Sequence, residues 1–132
     1  MPTMTAAQRR AAAKAEYDAF VADCPSRQLL DRLSDKWVTL ALVALEPGPQ
    51  RYSQLSRTMA GVSQKMLTQT LRTLERDGLV SRTVTPSVPV TVTYEMTDLG
   101  RSLHRVVGML KVWAEAHMDQ VQSHRLEYDA LL

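Results

Sequence analysis

The chain has 132 residues, 45% of them hydrophobic and 23% charged, with a formal net charge of +2. These values are typical of one soluble globular domain, near the size at which dimerisation adds useful burial. The longest apolar run, Leu40 to Leu45, is far too short to span a bilayer, and the one cysteine excludes an intramolecular disulfide. The N-terminus lacks the basic-then-apolar layout of a signal peptide, so we expect a cytoplasmic protein with no membrane partner.

The positive charge is concentrated in the middle of the chain. Residues 1–50 carry six basic and six acidic side chains, and residues 84–132 carry four and six. Residues 51–83 carry six basic side chains against two acidic ones, a local excess of four. Such an excess favours a nucleic-acid contact in this segment.

The N-terminal segment is rich in alanine, and residues 5–22 therefore predict a helix. Its thin apolar stripe consists of Ala13, Tyr17, Phe20 and Val21. We expect a helical arm that packs on a partner subunit through Phe20. A frayed chain end is the alternative.

Cys24 precedes Pro25, and because proline favours the first position of a helix, we expect Cys24 to be the N-cap. The helix dipole and free backbone N–H groups would stabilise a thiolate there and lower the thiol pKa, although Asp23 opposes this effect. A thiol with a low pKa is what an oxidant or electrophile sensor needs. The alternative is a buried, small apolar residue.

Apolar residues recur after Pro25 with helical spacing, at Leu29, Leu33, Trp37, Leu40, Ala41 and Ala44. Ser34-Asp35 interrupts the pattern, which predicts one short helix and a second that begins near Lys36. Glu46-Pro47-Gly48-Pro49 ends the second helix. Trp37 is interpreted as a core residue, with ligand stacking as the alternative.

The stretch from Tyr52 to Asp77 predicts two helices joined by a tight turn. Ser53 is a suitable N-cap for the first helix, in which Leu55 and Met59 lie four apart on the inner face. Gly61 supplies the backbone freedom that the turn needs. This arrangement is that of a helix-turn-helix.

The second helix of this pair has clearly different faces. Ser63 caps it, and its inner stripe consists of Leu67, Leu71 and Leu74. Its outer face carries Gln64, Lys65, Thr68, Gln69, Arg72 and Arg76, with acids only at Glu75 and Asp77. Long polar donors without matching carboxylates suit phosphates and base edges, so we predict that this helix enters a DNA major groove. A merely solvated outer face is the alternative.

A hairpin is predicted directly after this helix. Gly78 ends the helix, residues 79–84 and 90–96 read as strands, and residues 85–89 form a proline-held turn. A helix-turn-helix followed by a hairpin is a winged helix. Arg51, Ser63 and Arg82 complete the predicted DNA-binding set.

A long C-terminal helix follows, for which Thr97 and Asp98 offer an N-cap. Its apolar stripe consists of Leu99, Leu103, Val106, Leu110, Trp113 and His117, in alternating steps of four and three. Such a heptad-like stripe usually packs on another helix, here its own core, the N-terminal arm or a second subunit. We favour dimerisation through Leu103, Val106, Leu110 and Trp113.

Two histidines near the C-terminus, His117 and His124, lie close to Glu115 and Glu127. These ligand types suit zinc or nickel, but a solvated helix end explains the same residues. We expect no metal and no other cofactor.

The chain resembles the HxlR-type winged helix-turn-helix regulators, which are related to the MarR group, because its motifs follow one another in the same order. The matching segments, between residues 24 and 113, include Cys24-Pro25, Asp35-Lys36-Trp37, Arg51-Tyr52-Ser53, and residues 63–68, 71–80, 86–89 and 94–100. Thr85 and Val90 depart from the family pattern at the wing tip. The resemblance implies a dimer, and in several members the cysteine before this proline senses quinones, aldehydes or hypochlorite.

The expected fold class is α+β, mainly α: a helical arm (1–23), a winged helix-turn-helix domain (24–97) and a dimerisation helix (98–132). The expected function is that of a dimeric repressor that binds a palindromic operator in double-stranded DNA and releases it when an oxidant or electrophile modifies Cys24. A ligand- or metal-responsive regulator and a protein-interaction module without DNA binding are the alternatives. The sequence has no phosphate-binding glycine loop or nucleophile elbow, so we expect no enzymatic activity.

Overall fold

The structure is a computed structural model that describes residues 3–132. Within them lie the helices α1 (Ala6–Asp23), α2 (Pro25–Leu33), α3 (Lys36–Ala44), α4 (Tyr52–Thr58), α5 (Gln64–Arg76) and α6 (Asp98–Ala130). The strands β1 (Gln50–Arg51), β2 (Val80–Thr85) and β3 (Thr91–Met96) form an antiparallel sheet in the order β1-β3-β2. This mainly helical winged helix-turn-helix architecture confirms the predicted fold class.

The chain divides into two compact units, one that ends at Lys36 and one from Trp37 to Leu132. The first unit contains α1 and α2, which contact each other. Thr5 starts α1 with a capping box, in which its hydroxyl accepts from the Gln8 amide at 3.1 Å. Neither helix contains a buried residue; in the predicted apolar stripe of the arm, Tyr17 and Phe20 are exposed and Val21 is half-buried.

The second unit has one hydrophobic core. It consists of Val38, Ala41, Leu42, Ala44 and Leu45, Leu55 and Met59, Leu67, Leu71 and Leu74, and Leu79, Val80, Tyr94 and Met96. The inner stripes that the sequence predicts for the helix-turn-helix are therefore confirmed. Burial of each such large apolar side chain stabilises the fold by about 1.5–3 kcal/mol relative to an exposed position.

The start of the helix-turn-helix differs from the prediction. Arg51, and not Ser53, precedes the first turn of α4, and the Arg51 amide donates to Gln54 Oε1 at 2.8 Å. The reason is that β1 pairs with β3, so the chain passes directly from a strand into a helix at Tyr52. The hairpin strands also begin one residue later than predicted, at Val80 and Thr91.

Two chain segments are hydrogen-bonded together where α5 ends and α6 begins. Gly78 has a φ of +74°, and the amides of Gly78 and Leu79 donate to the carbonyls of Glu75 and Leu74 at the end of α5. Thr97 caps α6 by accepting from the Gly100 amide at 3.0 Å, and its hydroxyl donates to the Gly78 carbonyl at 2.6 Å. The start of α6 is thereby fixed to the end of α5.

Among the residues described, no helix combines the length and the apolar character that crossing a membrane requires.

Candidate nucleic-acid interface

The helix α5 begins where the sequence predicts. Ser63 is its N-cap, and the serine hydroxyl accepts from the Met66 amide at 3.1 Å. This bond satisfies one of the free N–H groups of the first turn. Ser63 therefore stabilises the start of α5, in addition to its predicted place in the DNA-binding set.

The outer face of α5 forms a shallow concave surface with a volume of about 690 Å³. It is lined by Gln64, Lys65, Thr68, Gln69 and Arg72, five of the nine predicted DNA-binding residues. Thr68 is half-buried and the other four side chains are exposed. Between residues 3 and 132, the basic side chains of α5 and β2 form no ion pair. Their charges are therefore available to an external anion.

A second concavity, with a volume of about 490 Å³, lies between α5 and the sheet. It brings Arg72 of α5 together with Arg82 of β2, and Glu75 is the one carboxylate among its lining residues. Two guanidinium groups that line one cleft are suited to a phosphate group. This cleft places Arg82 of the wing next to the polar face of α5.

Three predicted DNA-binding residues line neither surface: Ser63, which caps α5, and the two arginines Arg51 and Arg76. Arg51 is exposed on β1, where it pairs with Thr93, and Arg76 is the exposed last residue of α5. Both are accessible, but the structure does not group them with the other candidates.

Sequence reasoning did not identify Tyr52 as a site residue. Its hydroxyl donates to the Gln64 carbonyl at 3.1 Å and lies 3.2 Å from Thr68 Oγ1, while its ring packs against the core. These partners are 12 and 16 residues away along the chain. A periodic pattern contains no signal for such a contact.

Cys24 is the single residue between α1 and α2, and it is the N-cap of α2 as predicted. The side chain is half-buried and forms no capping hydrogen bond of ordinary geometry. The nearby backbone N–H groups of Arg27 and then Ser26 nevertheless lower the pKa of the thiol, outweighing the opposing effect of partial burial. The direction of this pKa shift is the one expected from the sequence.

The predicted dimerisation residues are mostly exposed in the single chain. Phe20, Val106, Leu110 and Trp113 are between 45% and 72% exposed, whereas Leu103 packs against the core. Val107, which was not part of the predicted stripe, is the buried valine of this turn. Val106, Leu110 and Trp113 therefore form an exposed apolar face on α6 that the core of the second unit does not cover.

His117 has close local partners on α6. Its ring stacks on Trp113 with centroids 4.7 Å apart, and its Nδ1 donates to the Trp113 carbonyl, which can only accept, at 2.9 Å. From residue 3 onward, no three side chains of His, Cys, Asp or Glu gather in a group that could hold a metal ion.

Trp37 packs against the core, as the first of its two interpretations predicts. It also lines a mainly apolar cleft of about 380 Å³ between α3 and the turn after α4, together with Leu40, Val43, Ala44, Pro47, Thr58, Met59 and Ala60. Ligand stacking by Trp37 stays a prediction.

A helix-turn-helix followed by a β-hairpin wing, with a basic outer face on its second helix, defines a winged helix-turn-helix transcriptional regulator. The profile of the HxlR-like helix-turn-helix family matches residues 32–122. The chain belongs to this family, which confirms the resemblance found in the sequence.

Three relatives illustrate the similarity. YtfH of Escherichia coli (strain K12), described as an uncharacterized HTH-type transcriptional regulator, is 41% identical over 112 residues, covering 85% of this chain and 89% of YtfH. The solved structure of ytfH from Salmonella typhimurium is 43% identical, with a TM-score of 0.69, covering 80% of this chain and 95% of that one. The redox regulator HypR in its reduced form is 35% identical, with a TM-score of 0.71, covering 76% and 99%. All three are described as regulators.

Proposed function

We propose that the protein is a dimeric repressor that binds a palindromic DNA site and releases it when Cys24 is oxidised or modified by an electrophile. The observation that carries this proposal is the outer face of α5, where polar and basic side chains, most of them exposed, form one concave surface. None of these side chains forms an ion pair with another residue between 3 and 132. An interaction module that does not bind DNA would favour apolar or acidic residues on that face, and the surface is lined by neither.

The residues of this interface have two proposed roles. Gln64, Lys65, Thr68 and Gln69 lie in the first turns of α5, so we assign them to base edges in the major groove. Arg72, Arg76 and Arg82 lie further along α5 or in the wing, so we assign them to phosphates, with Arg51 as a further phosphate contact. Phosphate contacts position the protein on DNA, whereas base contacts specify the sequence.

The first expected result separates these two roles. Lys65→Ala or Gln69→Ala should relax preference at one base pair by about 1–3 kcal/mol. Arg82→Ala should weaken all duplexes alike and reduce the slope of log affinity against log salt by about 1. The measurement is fluorescence anisotropy, at several salt concentrations, with duplexes selected from a random library by the wild type.

Arg125→Ala is the matched control, because it removes the same charge from the distal part of α6. It should leave affinity and salt slope unchanged. If Arg82→Ala altered base preference while Lys65→Ala did not, the two roles would be wrongly assigned. If the wild type bound no duplex in a salt-dependent way, the proposed function would be wrong.

A dimer is supported by the uncovered apolar face of α6. Val106, Leu110 and Trp113 recur in steps of four and three, and each is about half exposed in the single chain. Burying such a stripe against a second copy removes apolar surface from water. Two recognition helices related by a twofold axis would then lie about 34–36 Å apart, one DNA turn.

The second expected result tests this dimer. Leu110→Glu places a charge in the stripe and should convert the protein into a monomer at micromolar concentration, as measured by sedimentation equilibrium, because burying an unpaired charge is costly. Gln122→Glu adds the same charge on the opposite side of α6 and should remain dimeric. A wild type that sediments as a monomer would exclude the dimer, as would a Leu110→Glu variant that sediments as a dimer.

The response to oxidants rests on Cys24. Its thiol pKa is lowered by the N–H groups of Arg27 and Ser26, so more reactive thiolate is present at neutral pH than for an ordinary cysteine. Its position between two helices means that an added group acts directly on the joint between them. The structural relative HypR is described as a redox regulator with solved reduced and oxidised forms.

A further inference from the structure

The Tyr52 hydroxyl is hydrogen-bonded to two residues of α5 at once. Its oxygen lies 3.1 Å from the Gln64 carbonyl and 3.2 Å from the Thr68 hydroxyl. Tyr52 is the first residue of α4 and its ring packs against the core, which positions the hydroxyl against α5. Thr68 lines both concave surfaces, which makes its hydroxyl part of the DNA-facing side of α5.

The number of protons fixes the direction of both hydrogen bonds. A phenol has one proton, and a backbone carbonyl can only accept. The Tyr52 proton is therefore donated to the Gln64 carbonyl. The phenol oxygen then acts as the acceptor toward Thr68, so the threonine hydroxyl donates its own single proton to Tyr52. The Thr68 oxygen keeps only lone pairs for an outside partner.

We infer that Tyr52 makes Thr68 a reader of one kind of base edge, namely the exocyclic amino group of adenine or cytosine. In the major groove these amino groups are the hydrogen-bond donors, whereas guanine and thymine present acceptors at O6, N7 and O4. A threonine with a free proton can donate or accept and distinguishes these bases poorly. A threonine that has already donated its proton accepts from amino groups and is repelled by acceptors. This inference rests on the proposed placement of α5 in the major groove.

Tyr52 is thus a positioning residue that acts through Thr68 and need not touch DNA. Tyr52→Phe keeps the ring in the core but removes the hydroxyl, which returns the proton of Thr68 to the DNA-facing side. Thr68→Val removes the hydroxyl at nearly constant shape, and Thr68→Ser retains it. We therefore expect Tyr52→Phe and Thr68→Val to alter the preference at one base pair in each half-site and to leave the preference at the other positions unchanged.

The test begins with a selection from duplexes with 20 random base pairs, using the full-length wild type and the Thr68→Val variant. The position at which Thr68→Val alone loses preference identifies the base pair that Thr68 reads. Duplexes are then made in which purine replaces adenine, or 2-pyrimidinone replaces cytosine, at that position, which removes only the amino group. In matched duplexes the amino group is kept and an acceptor of the same base pair is removed instead, for example with 7-deazapurines.

Removing the amino group should weaken wild-type and Thr68→Ser binding roughly three- to tenfold, as expected for one hydrogen bond, and removing the acceptor should not. Thr68→Val should be insensitive to both changes. Binding by Tyr52→Phe should discriminate much less between a base that presents an amino group and one that presents an acceptor, and only at this position. Gln69→Ala is the control, because it should relax a different position and leave this one intact. Thermal unfolding of each variant checks that the fold is retained.

Three results would overturn the inference. The first is that Thr68→Val changes no base preference, and the second is that the Thr68-dependent loss follows the acceptors. The third is that Tyr52→Phe weakens every position equally, as a purely structural residue would. Each of them is compatible with specific DNA binding by the wild type. If the wild type enriches no sequence and binds no duplex, the proposed function fails as well, so the two failures are distinguishable.

Discussion

Replacing Gly100 by alanine is expected to destabilise the second unit by about 3 kcal/mol, because it adds a methyl group where there is no space. A β-carbon at this position of α6 would overlap the carbonyl oxygen of Leu79. That oxygen belongs to the backbone, and it also accepts from the Thr97 amide at 3.1 Å, so it cannot move aside as a flexible side chain would. Urea unfolding, followed by circular dichroism, measures the effect.

Gly108 is the matched control on the same helix, because a β-carbon there meets no heavy atom within 4 Å. Gly108→Ala should leave stability unchanged or raise it by up to about 1 kcal/mol, since alanine favours a helix over glycine. Equal unfolding midpoints for Gly100→Ala and Gly108→Ala would contradict the close approach of α6 to Leu79.

Modification of Cys24 is expected to lower DNA affinity about five- to 150-fold, the usual range for coupling between two sites. With diamide, two Cys24 thiols of a dimer give up two electrons and two protons, a disulfide forms, and diamide is reduced to the hydrazine. With a quinone, the thiolate adds to a ring carbon. Cys24 is the single residue between α1 and α2, so we expect either product to change the angle between these helices.

The reaction should also show a shifted pH dependence. Because the N–H groups of Arg27 and Ser26 lower the thiol pKa, the thiolate persists to lower pH than for an unperturbed cysteine. The rate of alkylation by iodoacetamide should therefore reach half its maximum at a pH below that of a free thiol. A normal or raised midpoint would show that these N–H groups do not stabilise the thiolate.

Cys24→Ser is the control for the DNA measurement. It removes the nucleophile at nearly constant size, and no capping bond of the sulfur is lost because none is formed. The variant should bind the selected duplex as the wild type does and ignore both reagents. Unchanged wild-type binding while mass spectrometry shows modified Cys24 would mean that this cysteine has no sensing role.

The sequence predicts those parts of the fold that depend on local patterns. Ser63 and its leucine stripe identify α5, and the Cys24-Pro25 pair locates a helix start, because capping and periodicity act within a few residues. β1 was missed because two residues are too few for an alternating pattern. Ser53 was consequently mistaken for the cap of α4.

The contacts that complete the site depend on the tertiary fold. Tyr52 reaches Thr68 across 16 residues, and Arg82 reaches the cleft beside Arg72 because the hairpin folds back toward α5. The stripe on α6 shows a related limit, since Val107 is buried while its neighbour Val106 is exposed. Periodicity shows that a helix has an apolar face, but it cannot show which residues the chain's own core covers.

The fixed start of α6 has a mechanical consequence. Its 33 residues extend about 50 Å, and its first two turns are tied to the end of α5 through Thr97 and to the core through Leu103. A tilt of about 5° at that tie displaces the far end by about 4 Å. A small rotation of α5 would therefore be amplified along α6 into a displacement of several ångström at its C-terminal end. Any partner that holds the far end to within a few ångström fixes the orientation of α5 to within a few degrees.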